Sequence, residues 1–145
     1  MAMLPFCGYN MADYWQHWIN IGANLDEDKA PKFFNVNWFR KDDEGNFMWP
    51  GFGDNLRVLE WILNRCDGKV DAKETAIGYV PYAEDINIEG LEGEVTLDTL
   101  KSILEVDASL WIEETKGIEE FYAKFEGKIP AELQTELENL KKRIS

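Results

Sequence analysis

Histidine is nearly absent from this chain, and basic residues are few. A single His among 145 residues leaves no Ser-His-Asp set and no HExxH helix to argue for. Against 28 Asp and Glu stand only 15 Lys and Arg, a formal charge of −13 with a pI near 4.4. That balance disfavours nucleic acid and anionic membrane as partners, because both need a basic face that releases counterions. The two cysteines, Cys7 and Cys66, form no CxxC pair and have no nearby His, so free buried thiols are expected rather than a metal or redox site. No apolar run approaches the ~18 residues of a membrane span. The start, MAMLPFCGYN, lacks the basic-then-apolar order of a signal peptide, so a cytoplasmic protein is expected. No GxxxxGK[ST] phosphate loop and no GxSxG elbow occurs. The acidic clusters Asp42-Asp43-Glu44 and Glu113-Glu114 lack the spacing of a calcium loop and read as solvated surface.

What the chain does have is apolar and aromatic mass. At 45% hydrophobic it can bury one domain's core, and one domain is the expected count. In NMADYWQHWINIG, Asn10 is placed to cap a helix whose stripe is Met11, Tyr14, Trp15, Trp18 and Ile19, ending at Gly22. His17 falls on the polar edge of that helix, where an ordinary surface or boundary histidine is expected. FFNVNWF sets Phe34, Val36 and Trp38 against Asn35, Asn37 and Phe39, the period of a strand; KDDEG reads as a hairpin turn and Asn46 to Trp49 as the returning strand. Leu56, Leu59, Ile62, Leu63 and Cys66 recur at helical spacing, with Asp54 or Asn55 as cap.

AIGYVP predicts a short strand stopped by Pro81, and DINIEGLEGEV a loop. Three helices follow from Thr96. They are TLDTLKSIL, one starting near Asp107 with Leu110, Ile118, Phe121, Tyr122 and Phe125 inward, and one opened by Pro130 with Leu133, Leu137, Leu140 and Ile144. The expected fold class is α+β, with helices packed around a β-hairpin and a short additional strand.

FMWPGFGDN, residues 47–55, gathers three rings, two glycines and a proline. Two readings fit the residues alone. Phe47, Trp49 and Phe52 could pack a hairpin onto the Leu56 helix while Asn55 caps it. Alternatively, the rings could wall a slot whose glycines let the backbone approach a flat heterocycle, with Asn55 offering donors and an acceptor to a purine edge. A third use of the same surface is a peptide-binding or assembly module, since a Trp and Phe groove beside a Pro-Gly turn also suits proline-rich ligands.

A longer match bears on that choice. The run NVNWFRKDDEGNFMWPGFGDNLRVLEW, residues 35–61, resembles the guanine-binding segment of GTP-dependent phosphoenolpyruvate carboxykinases. PFCGYN at 5–10, HW at 17–18, APK and FF at 30–34, IGYVP at 77–81 and NIEGL at 87–91 extend the likeness over essentially the whole chain, most weakly in the last two helices. Asp54, Ala76 and Cys7 stand where that family more often carries glutamate, proline and phenylalanine, and none is a ring of the slot.

The resemblance implies the C-terminal nucleotide-binding lobe of an enzyme that converts oxaloacetate and GTP to phosphoenolpyruvate, carbon dioxide and GDP, in gluconeogenic or anaplerotic use. It also implies that this chain is a C-terminal fragment, inactive alone. Manganese, magnesium accompanying the nucleotide, the phosphate loop and the catalytic residues would then belong to the missing N-terminal part of the same enzyme. The Met1-Ala2-Met3 opening reads as a cut site, and an apolar cut face could drive an artefactual oligomer. Position by position, the likeness places Trp38, Phe39 and Phe47 on one side of the guanine and Phe52 on the other, with Gly53, Asp54 and Asn55 as the turn and amide that read its edge.

Overall fold

The computed structural model describes residues 4–91 and 93–145; the Met1-Ala2-Met3 opening and Glu92 lie outside the described residues. The described chain is α+β, with five α-helices and one two-stranded antiparallel hairpin. It forms two compact units, one from the N-terminal residues through Pro31 together with Asp107–Ser145, the other Lys32–Val106.

The first unit holds α1 (Met11–Ala23), α4 (Ala108–Ala123) and α5 (Ala131–Ile144). Asn10 starts α1 as expected: its extended backbone stays outside the helix while its Oδ1 accepts from the Ala12 N–H at 2.9 Å. Asp107 does the same for α4, accepting from the Ser109 and Leu110 N–H groups. In α5 the first turn carries Glu132 and the last Lys141, Lys142 and Arg143, the charge order that the helix dipole favours.

α4 packs on α5. The buried cluster is Met11, Ala12, Phe125 and Ile129, joined by Trp15, Phe121 and Leu133. Trp15 meets Phe125 with ring centroids 4.8 Å apart, and Phe121 meets Phe125 edge-on at 5.2 Å. Two residues of the expected inward stripes face water instead. Trp18 and Leu110 are exposed, Trp18 with its ring edge-on to Tyr14. Cys7 is half-buried and Cys66 exposed, so neither is the buried thiol expected.

The second unit holds α2 (Asn55–Cys66), the hairpin β1 (Lys73–Thr75) with β2 (Gly78–Val80), and α3 (Leu97–Leu104). Its core is Trp49, Trp61, Ala83, Ile86, Leu91, Val95 and Leu100, with Trp38, Val58 and Ile62 among the residues packed against it. The loop 86–95 supplies three of these side chains, Ile86, Leu91 and Val95, despite its acid and glycine content. A capping box between Thr96 and Thr99 starts α3.

Two expectations fail in this unit. The segments 34–39 and 46–49 make no hairpin of strands, only a single bridge between Lys41 and Phe47. The Asn37 side chain accepts from the Phe39 N–H at 3.0 Å, and this local turn diverts the backbone from the ladder its alternation suggested. The molecule's hairpin is instead β1–β2, in register Lys73↔Val80 and Thr75↔Gly78, so the expected additional strand is one of its two legs. On α2 the core side is Trp61, Val58 and Ile62; of the expected stripe Leu56, Leu59, Ile62, Leu63 and Cys66, only Ile62 packs on the core and the other four are exposed. Among the described residues no helix is long and apolar enough to cross a membrane.

Candidate functional site

Tryptophan and phenylalanine part company around the 38–55 segment. Trp38 packs against the second unit's core and Trp49 lies inside it at 8% exposure. Phe39, Phe47 and Phe52 point outward at 72%, 59% and 94%. The reversal between Trp49 and Phe52 happens at Gly51, whose φ of 110° and ψ of −148° belong to a region that side chains close. From there a 3-10 turn, Phe52–Asp54, runs straight into α2.

The packing alternative therefore holds for Trp49 and fails for Phe47 and Phe52. Asn55 is not the cap of α2 either: it is the helix's first residue, and the capping position belongs to Asp54. Asp54 makes no side-chain cap bond among the described residues because its Oδ1 accepts from the Arg57 Nε at 3.0 Å. Arg57 also donates from Nη1 to the Asn87 carbonyl at 3.0 Å, which ties the start of α2 to the 86–95 loop.

The exposed loop is braced without a sheet. Arg40 donates from Nη1 to the carbonyls of Ile103 and Glu105 at the end of α3, where unpaired carbonyls and the helix dipole favour a cation. Asp42 closes the turn below Phe47 by accepting from the N–H groups of Glu44 and Asn46, with Gly45 at φ 86°. The Asn46 N–H foremost, helped by the Asn46 side chain and the Glu44 and Gly45 N–H groups, holds the Asp42 carboxyl below the ordinary aspartate range.

Phe39 and Phe47 stand edge to face, centroids 6.1 Å apart and planes at 61°, and the Lys41 ammonium sits 5.0 Å from the Phe47 centroid. The structure thus brings Phe39 and Phe47 together and sets Gly53, Asp54 and Asn55 at the start of α2. It draws Trp38 toward the core and leaves Phe52 projecting alone from the turn.

Two residues outside the sequence reading, Arg40 and Arg57, prove structurally central, and Trp49 has a polar role beyond the packing expected of it. The Trp49 indole N–H donates to Asn55 Oδ1 at 2.9 Å across the Pro-Gly turn. A bond between positions six apart follows no helix or strand period, so only the density of turn residues between them could have hinted at it. His17 is exposed on α1, as expected. Among the described residues no three His, Cys, Asp or Glu side chains gather as a metal site. Manganese and magnesium therefore find no fit among them.

These features define an α+β protein whose second unit turns Phe39, Phe47 and Phe52 to solvent, the last in the turn that leads into α2. Comparison with known proteins identifies it further. A family model described as the phosphoenolpyruvate carboxykinase C-terminal P-loop domain matches residues 1–143, and the chain belongs to that family. The protein named phosphoenolpyruvate carboxykinase [GTP] from Treponema pallidum strain Nichols is 52% identical over 145 residues, covering 99% of this chain and 23% of the relative. Those so named from Paenarthrobacter aurescens strain TC1 and Chlamydia caviae are 50% and 45% identical, each over 144 residues and 99% of this chain, and over 23% and 24% of the relative. The chain thus spans about a quarter of the length of the relatives it matches.

Proposed function

We propose that this chain supplies the guanine-binding portion of a GTP-dependent phosphoenolpyruvate carboxykinase, a cytoplasmic enzyme that converts oxaloacetate and GTP to phosphoenolpyruvate, carbon dioxide and GDP. Residues 1–145 would form the C-terminal part of its nucleotide-binding domain, with the base segment at 35–61 and a helical tail at 96–145. The observation that carries the proposal is that Phe39 and Phe47, in contact with one another, and Phe52, in the turn that leads into α2, all face outward. Fully burying one such ring is worth about 1.5–3 kcal/mol. Three rings held in water by a braced loop therefore forgo considerable stability, and stacking on a base gives them a use.

Stacking supplies hold without choice, at roughly 1–3 kcal/mol per base. Choice comes from hydrogen bonds at the base edge, where each group left buried and unpaired by the wrong base costs about 1–3 kcal/mol. Asn55, at the start of α2, would take that role. Phosphates and metal would be held by the remaining polypeptide, since this chain has no GxxxxGK[ST] loop, and the chain alone would turn over no substrate. The exposed leucines Leu56, Leu59 and Leu63 suit burial against that remainder. The peptide-binding or assembly module finds no support in the family membership.

Titrating GDP and ADP against tryptophan fluorescence tests the reading. Affinity for the base alone should be weak, near the millimolar range, about −4 kcal/mol. Asn55→Ala should reduce the preference for GDP over ADP. Equal losses for both nucleotides would remove Asn55 from the reading role.

A further inference from the structure

We propose that Trp49, buried behind the exposed rings, is a positioning residue that decides which end of the Asn55 amide meets a base, and so makes the site select 6-oxo over 6-amino purines. The inference rests on the base-binding reading above and adds the identity of the group that does the choosing.

An indole N–H can only donate. Its partner 2.9 Å away on Asn55 is therefore the amide oxygen, and the orientation of that amide is fixed by chemistry. Turning the amide over would set two donors against each other and leave the indole N–H unpaired in the core. Trp49 cannot follow such a turn, because it is packed in one cluster with Trp61, Ile86, Leu91 and Leu100. Asn55 is equally constrained at its backbone, which is helical at φ −59° and ψ −28°. The amide nitrogen has no hydrogen-bond partner among the described residues, and the side chain belongs to a half-buried residue beside the exposed Phe52 turn. What Asn55 has left to offer a ligand is thus a pair of N–H donors.

A donor pair selects an acceptor edge. Guanine carries O6 and N7 as acceptors on that side, whereas adenine places an N6 amino donor where guanine has O6. Adenine would set donor against donor, and the bond from Trp49 denies it the amide flip that would remove the conflict. Hypoxanthine shares the 6-oxo group and lacks the 2-amino group, so at this residue it should count as guanine does.

Two measurements on the 145-residue chain test the proposal. The first needs no variant: GDP, IDP and ADP are titrated by ¹⁵N-edited NMR, following the Asn55 side-chain amide. IDP should rank clearly above ADP, and IDP no tighter than ADP would overturn the proposal. The second uses Trp49→Phe, which keeps an aromatic ring in the core but deletes the donor, and so frees the amide to turn. The GDP-to-ADP affinity ratio should fall by roughly fivefold, the worth of one net hydrogen bond, chiefly through tighter ADP binding. A purely structural role for Trp49 would weaken both nucleotides in proportion, and that result, or an unchanged ratio, would refute the assignment. If the unaltered chain shifts with no purine nucleotide at all, the base-binding reading falls and takes this inference with it. Binding of all three without IDP ranking above ADP sinks the inference alone.

Discussion

Phe52→Ala separates recognition from stability more cleanly than any other single change. At 94% exposure the ring has almost no apolar contact to lose, so truncation should cost the fold at most about 0.2 kcal/mol from lost burial. For a chain of this size that is a melting shift under about 1 °C. Trp49→Ala is the contrast: at 8% exposure it removes a core ring and should cost about 3–5 kcal/mol. If Phe52 stacks on a purine, the same silent truncation removes about 1–3 kcal/mol of binding, roughly a 5- to 150-fold loss of affinity. Because stacking hardly distinguishes bases, GDP and ADP should weaken by one common factor. Thermal melts and paired NMR titrations of the two nucleotides read both quantities on one sample. A well-folded Phe52→Ala chain that binds GDP as the unaltered chain does would refute the stacking role, and a melting point lowered by many degrees would refute the reading of the ring as free of the core.

The neighbouring glycines should behave oppositely. Gly51 holds φ 110°, so Gly51→Ala should cost about 1–3 kcal/mol in a thermal melt. Gly53 has ordinary φ and open space where a Cβ would go, so Gly53→Ala should leave stability unchanged or slightly raised, and weaken nucleotide binding only if the base approaches the backbone there. Acid should loosen the turn below Phe47. Asp42 has its pKa lowered by the Asn46 and Glu44 N–H groups, so its contribution is present above the unfolded aspartate value near 3.8 and is lost as pH falls through the lower folded value. Amide shifts of Glu44 and Asn46 should move together in an NMR titration below about pH 4, and Asp42→Asn should abolish that step.

Much of the helical framework was legible because its signals are local. Asn10, Asp107 and Thr96 each announce a helix start through groups two or three residues away and Pro130 through its own fixed φ, and α1, α4, α3 and α5 begin where those residues say. The hairpin placed at 34–49 misled because alternation reports which way side chains face, not whether a ladder partner exists. Lys73-Glu74-Thr75 gave no strand signal because the leg is short and polar, and its pairing partner β2 determines it. Leu56, Leu59 and Leu63 have the spacing of a core stripe yet face solvent, since periodicity marks a common face without naming its cover.

The candidate site divides along the same line. Residue order alone determined that rings, a Pro-Gly turn and an asparagine lie together in one short stretch, that histidine is limited to one residue, and that a phosphate loop and a basic face are missing, because these are matters of composition and adjacency. Only the tertiary structure decided that Trp38 and Trp49 pack in the core while Phe39, Phe47 and Phe52 stay in water, that Arg40 braces the loop against carbonyls 63 and 65 residues away, and that Trp49 holds the oxygen of Asn55. The physical reason is that burial and hydrogen-bond partnership are properties of what packs around a residue, and those neighbours come from distant parts of the chain.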